Sequence, residues 1–299
     1  MDCSGLGVAL ATPFQAEGDL DEPALRRLLA HLVENAIDYL VVLGTTGEAV
    51  TQSLRERLHL LEVVFGAIGA RIPVVVGAGG YNTRQICREM QLYARHFPVQ
   101  AFLSVTPYYT KPTAEGLYAH YAYLADRSPR PIILYNVPVR TGVNLSAELA
   151  LRLARSYPGQ IIGLKDAALD WNQSLQLLTE VPAGFQLISG DDALAAPLIL
   201  MGYKGVISVL GNALPHLMKR LVRAAQQGEV VTVQRLQRQL FPLMRLCFAE
   251  GNPTSIKGLL AEMGLTPPWT RLPLLPASDS LRAKFREALA LLPSLAEAT

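Results

Sequence analysis

Short apolar runs alternate with longer stretches of helical periodicity along most of this chain. The runs cover residues 7–11, 39–43, 73–77, 101–105, 132–135, 160–165, 186–189 and 205–208. They are apolar at successive positions rather than at alternate ones, the pattern of strands buried on both faces. Between them lie helical patterns. Asp21-Glu22-Pro23 opens the first, with Asp21 as N-cap and Pro23 in the first turn, and Leu25, Leu28, Leu29 and Leu32 form its apolar stripe. Further helices are predicted over 54–68, from Thr83, over 114–125 and 147–156, and as a short piece after Gly190-Asp191-Asp192. Strands alternating with helices predict parallel βα units, and eight of them close into a (β/α)8 TIM barrel over residues 1–225, an α/β fold. An open doubly wound sheet is disfavoured, because no GxGxxG follows a strand; Gly77-Ala78-Gly79-Gly80 is the nearest sequence. Beyond Ser208 only helical signals remain, at 215–227, 230–248, 255–263 and 280–291, so residues 226–299 are predicted to form a C-terminal helical appendage.

Composition agrees with a globular domain: 299 residues, 50% hydrophobic, 17% charged, net charge +2. No block of like charge points to a nucleic acid or a membrane surface. No apolar window is long enough to span a bilayer, and Met1-Asp2-Cys3-Ser4-Gly5 has no basic-then-apolar leader pattern, so a cytoplasmic enzyme is expected. The three cysteines and five histidines are scattered without ligand spacing, and neither metal nor cofactor is expected.

In such a barrel the loops after the strands carry function. Here those loops hold Thr45, Thr46 and Glu48 after the second strand, Tyr108 and Tyr109 after the fourth, Tyr135 and Arg140 at the fifth, Lys165 at the sixth, and Asp191 and Asp192 after the seventh. Each has an ordinary reading as turn residue, packing aromatic, helix cap or solvated charge. Together they assemble an amine, phenols, hydroxyls and a guanidinium on one rim, a set suited to carbonyl chemistry. Of the six lysines only Lys165 closes a strand-like run. Burial disfavours an ammonium and leaves more free amine to attack a keto group. Tyr135 is placed to move protons, with Thr45 and Tyr109 as available links, and Arg140 to hold a carboxylate by a bidentate pair.

The segments Gly44-Thr45-Thr46-Gly47-Glu48, Val105-Thr106-Pro107-Tyr108-Tyr109, Tyr135-Asn136-Val137-Pro138 with Arg140-Thr141-Gly142, Gly163-Leu164-Lys165, Ser189-Gly190-Asp191-Asp192 and Gly205-Val206-Ile207-Ser208 occur in that order, with Gly251-Asn252-Pro253 in the tail. In these the chain resembles the dihydrodipicolinate synthase (4-hydroxy-tetrahydrodipicolinate synthase) family of class I pyruvate aldolases, the N-acetylneuraminate lyase superfamily. The resemblance implies condensation of pyruvate with L-aspartate 4-semialdehyde in lysine and diaminopimelate synthesis. It implies Lys165 as the Schiff-base lysine, Tyr135 as proton donor and acceptor, and Thr45 and Tyr109 as the rest of the relay, with Tyr109 reaching in from a neighbouring subunit. Thr46 and Ile207 would line the pyruvate site, and Arg140 would meet the semialdehyde carboxylate. A homotetramer built as a dimer of dimers is implied as well. The alternatives are a sister aldolase acting on a sugar acid or hydroxy-oxo acid, of N-acetylneuraminate or 2-keto-3-deoxygluconate type, and a non-catalytic oxo-acid-binding barrel. Arg140 and the paired threonines favour the synthase.

Two departures from the family pattern stand out. Asp166 follows the lysine where the family commonly has Glu, and little consequence is expected. At the positions matching the family's lysine-feedback site this chain has Ala49, Leu54, Arg57, Tyr81 and Gln85. Gln85 offers a ligand ammonium only a neutral amide, so weak or absent inhibition by L-lysine is expected.

Overall fold

The computed structural model describes residues 1–292; the last seven positions of the expected appendage, 293–299, lie outside the described residues. Strands β1 (Gly5–Ala9), β2 (Tyr39–Val42), β3 (Val74–Gly77), β4 (Ala101–Val105), β5 (Ile132–Asn136), β6 (Ile161–Asp166), β7 (Gln186–Ser189) and β8 (Gly205–Ser208) pair in sequence order, all parallel, and β8 closes on β1. This is the expected TIM barrel. Helices α1 (Glu22–Glu34), α2 (Leu54–Ile68), α3 (Thr83–His96), α4 (Ala114–Ala125), α5 (Pro138–Thr141), α6 (Ala147–Ser156), α7 (Trp171–Thr179) and α8 (Asp192–Leu200) fill the connections, and α9 (Pro215–Gln226), α10 (Val230–Leu246), α11 (Thr254–Glu262) and α12 (Asp279–Ala290) follow β8. Among the described residues no helix is long and apolar enough to cross a membrane.

The helices begin where local chemistry starts them. Asp21 accepts from the Ala24 N–H at the head of α1, and Ser53 with Glu56 forms a reciprocal capping box on α2. Each such cap is worth about 1 kcal/mol. The strand ends differ from the pattern for equally local reasons. β1 stops at Ala9 rather than residue 11, because the Ala11 N–H is taken by the Asn212 side chain. β6 runs one residue past the lysine: the Asp166 carbonyl accepts from Gly190 N, and Ala167 N reaches Asn136 O, which continues the ladder. Lys165 is therefore the penultimate residue of its strand. The short α5, and α7 capped by Asp170, went unread in the sequence.

Side chains sort into two layers. Ala9, Tyr39, Val41, Val75, Ala101, Leu103, Ile133, Tyr135, Ile188 and Ile207 fill the barrel interior. Gly7 permits this filling, since a Cβ there would lie 2.3 Å from the Tyr39 ring. The outward faces pack against the helices in one larger cluster, and Leu236, Leu240, Leu243, Ile256, Leu259 and Phe285 of the tail belong to that same cluster. α10 lies against α8 and α9, and α12 against α10 and α11.

Candidate active site

Register places the central pair. A shift between Ile132 and Ile133 sets Ile133 opposite Gly163, Leu134 opposite Leu164 and Tyr135 opposite Lys165. Residues two apart on a strand share a face, so Lys165 joins Tyr135 and its other partner, Ile188, inside the barrel near its C-terminal mouth. Lys165 is 5% exposed and Tyr135 6%. The Lys165 Nζ stands 4.3 Å from the centroid of the Tyr135 ring. Among the described residues no carboxylate pairs with Lys165 and no hydrogen bond engages its Nζ. Gly190 keeps the lysine stem uncrowded: a Cβ there would lie 3.2 Å from Lys165 Cε and 2.6 Å from Ala167 Cβ. The strand's last residue, Asp166, is buried and accepts from Ala168 N, the Ser174 hydroxyl and the Tyr203 phenol, which fixes the chain just after the lysine. Burial nevertheless pushes its carboxyl above the usual range.

Above the pair opens a cavity of about 400 Å³, lined in part by Gly44, Thr45, Tyr108, Tyr135 and Arg140. Lys165 is not part of its lining and meets it through Tyr135. Thr45 is half-buried, and no hydrogen bond among the described residues joins it to Tyr135. Thr46 is buried and its hydroxyl accepts from Asn252 Nδ2 at 3.0 Å. Arg140 is exposed on α5, and its Nη2 donates to the Asn252 carbonyl at 2.8 Å. Ile207 is fully buried in the interior. The expected residues thus converge, apart from Tyr109. That side chain is 88% exposed, on a backbone at φ +68°, and among the described residues no hydrogen bond engages its hydroxyl.

Some roles differ from the sequence reading or were missed by it. Asp191 is the α8 cap, as expected, accepting from Leu194 N. Asp192 is fully enclosed and accepts from the N–H groups of Val209 and Leu210 beyond β8; burial raises its carboxyl to about 6. Glu48 stands at the head of a short 3-10 turn, Ala49–Thr51, but its carboxylate caps no N–H there and instead forms a buried ion pair with Lys257. At the far end of the cavity Glu89 receives a bidentate pair from Arg57, at 2.8 and 3.1 Å, and a bond from the Gln85 amide. The cavity therefore does contain a carboxylate, four residues beyond Gln85 on α3, with its charge already matched. Asn252 was visible only as a motif. Nothing in the local pattern shows that a tail turn reaches the rim, because the contact spans about 200 residues.

A closed parallel barrel with a sheltered, unpaired amine against a phenol at its C-terminal mouth is a barrel equipped for Schiff-base chemistry on a carbonyl. The model of the Dihydrodipicolinate synthetase family matches residues 2–292, and the chain belongs to that family. The 4-hydroxy-tetrahydrodipicolinate synthase of Azobacteroides pseudotrichonymphae is 42% identical over 286 residues, 95% of this chain and 96% of that one. Among solved structures, the dihydrodipicolinate synthase of Thermotoga maritima superposes with a TM-score of 0.93 at 37% identity, covering 96% of this chain and 97% of that one. The chloride-inhibited enzyme of Acinetobacter baumannii, complexed with pyruvate, gives 0.93 and 37%, covering 97% and 98%. The family resemblance read from the motifs is borne out, and the synthase reading is favoured over the sugar-acid aldolases.

Proposed function

We propose that this protein condenses pyruvate with L-aspartate 4-semialdehyde to 4-hydroxy-tetrahydrodipicolinate, on the route to lysine and diaminopimelate. The observation that carries the site assignment is Lys165: buried at the barrel mouth, against Tyr135, with no carboxylate among the described residues to hold its charge. Its amine adds to the keto carbon of pyruvate, water leaves, and the iminium withdraws electrons from the methyl carbon. Loss of a methyl proton gives an enamine, which attacks the aldehyde carbon of the semialdehyde. The semialdehyde's own amino group then displaces Lys165 from the imine carbon, closing the ring and freeing the enzyme. Tyr135 moves protons at the imine, relayed through Thr45 and through Tyr109 of a neighbouring subunit. Thr46 and Ile207 line the pyruvate site, the latter through its backbone, and Arg140 meets the semialdehyde carboxylate.

An exposed Tyr109 in a left-handed conformation, on a rim that also exposes Val50, Tyr81 and Val139, supports a partner subunit covering that mouth. A homotetramer in the cytoplasm, with residues 226–299 as an appendage on a catalytic barrel over 1–225, completes the reading. The matched charge on Glu89 favours weak or absent inhibition by L-lysine. Borohydride treatment with pyruvate should leave a covalent adduct on the intact protein, absent from Lys165→Ala. A coupled assay should show turnover with the semialdehyde and none with a panel of sugar acids. An adduct that persists without Lys165 would refute the assignment, and faster cleavage of a sugar acid would refute the substrate.

A further inference from the structure

The turn that carries Thr45 and Thr46 is held from the far end of the chain. Glu48 closes that turn: its N–H donates to the Thr45 carbonyl at 3.1 Å, and its own φ is +54°, a conformation a non-glycine residue adopts only when its surroundings impose it. Its carboxylate supplies the constraint. One oxygen pairs with Lys257 of α11, and the other accepts from the Arg271 N–H at 2.9 Å. Lys257 is 0% exposed, donates also to the Trp269 carbonyl at 2.9 Å, and lies 4.2 Å from the centroid of the Phe14 ring. One turn earlier in the tail, Asn252 binds the Thr46 hydroxyl through its side chain and Arg140 through its carbonyl. Two sides of the mouth are thereby tied to one tail segment. A buried ion pair is poor evidence of net stability, since apolar side chains of similar volume often do as well. What it supplies is a fixed place for each charge, and here the Glu48 end lies two and three residues from the threonines.

We propose that Glu48 and Lys257 are positioning residues of the Lys165 site, holding the Gly44–Glu48 turn so that Thr45 and Thr46 meet the keto acid. The proposal rests on the Schiff-base reading above. Neither residue touches substrate; both act through the backbone of the turn.

The test uses the full chain and pyruvate. Lys257→Met should raise the KM for pyruvate, and slow borohydride-trapped adduct formation, by about ten- to a hundredfold, with a smaller change in kcat. The double variant Glu48→Gln with Lys257→Met leaves no unpaired charge, so it should recover the melting temperature lost by the single variant while keeping the raised KM. If the single variant does not fold, the double carries the reading. Glu262→Gln is the control: it removes a carboxylate that pairs with Arg282 and Arg286 at the other end of α11. It should lower the melting temperature and leave KM unchanged. A double variant with wild-type KM and trapping rate would overturn the proposal, as would a Glu262→Gln enzyme whose KM rises as far as that of Lys257→Met. If wild type itself forms no adduct, the Schiff-base reading falls and takes this one with it. An adduct in wild type with unaltered kinetics in the variants removes only the positioning role.

Discussion

Two lysines of this chain are buried, and their surroundings are opposite. Lys257 sits in the tail with a carboxylate, a carbonyl and an aromatic face around it. Burial draws its amine down to about 8 against the pull of Glu48. Lys165 sits at the barrel mouth with the Tyr135 ring and, among the described residues, no polar partner. A buried charge that is fully met is fixed in place and has nothing left to offer a ligand. An amine that is sheltered but unmet has its nitrogen free to meet a carbonyl carbon. On the proposed assignment, burial alone does not mark the Schiff-base lysine; the missing counter-charge does. Arg57 and Glu89 belong with Lys257 on this scale, since each meets the other's charge inside the cavity.

The sharpest way to break the contrast is to remove each lysine. Lys165→Ala should cut condensation by about a thousandfold or more while the melting temperature stays close to wild type, because no partner is left stranded. Lys257→Met should do the reverse in stability. It leaves Glu48 charged and enclosed, a loss of about 3–5 kcal/mol, read as a lower denaturant midpoint. If Lys165→Ala unfolded the protein and Lys257→Met did not, the roles assigned here would be exchanged. Tyr135→Phe tests the mouth alone: it keeps the ring beneath the amine and removes the hydroxyl proposed to carry protons, so kcat should fall about a hundredfold with the fold intact.

The same contrast explains what could be read from the amino-acid order. Strand periodicity is local, so all eight strands and the barrel closure were legible, and Lys165 stood out because it interrupts an apolar run at a strand end. Tyr135 followed from its position at the end of the fifth strand and Arg140 from its place just beyond it. Lys257 gave no such signal. It lies in a helix whose neighbours Ile256, Leu259 and Leu260 are apolar, and its partner is 209 positions away. The Glu48 partnership was invisible for the same reason. Asn252 could be matched as a motif but not placed. Tyr109 was legible in another sense: only the family resemblance sends it to a neighbouring subunit, and its 88% exposure is consistent with that.

Effects should be smaller at the rim. L-Lysine at millimolar concentration should leave the initial rate of condensation nearly unchanged, because Glu89 already holds Arg57 and Gln85. Arg57→Gln would free that carboxylate for a ligand ammonium, and lysine sensitivity should then rise. Strong inhibition of the unaltered enzyme would show that the Arg57–Glu89 pair opens readily, and would place it outside the class of met charges.

The smallest expected effect concerns the outer edge of the tail cluster. Arg271 bonds the Gly18 and Thr51 carbonyls and pairs with Glu56, and that pairing draws the Glu56 carboxyl down to about 2. A carboxyl lower in the folded chain than in the unfolded one contributes stability that is complete above its unfolded value of 4.5. That contribution is lost as pH falls from there towards about 2, where both states carry the proton. Glu56 is 42% exposed, so solvent screens the pair and the contribution should be only about 0.5–1 kcal/mol. Glu56→Gln should therefore melt slightly below wild type at neutral pH, and the two curves should converge in acid. A constant gap down to pH 2 would mean that Glu56 acts through packing or its capping bond to Ser53, and that the tail is held to the α2 start by Arg271's carbonyl contacts rather than by charge.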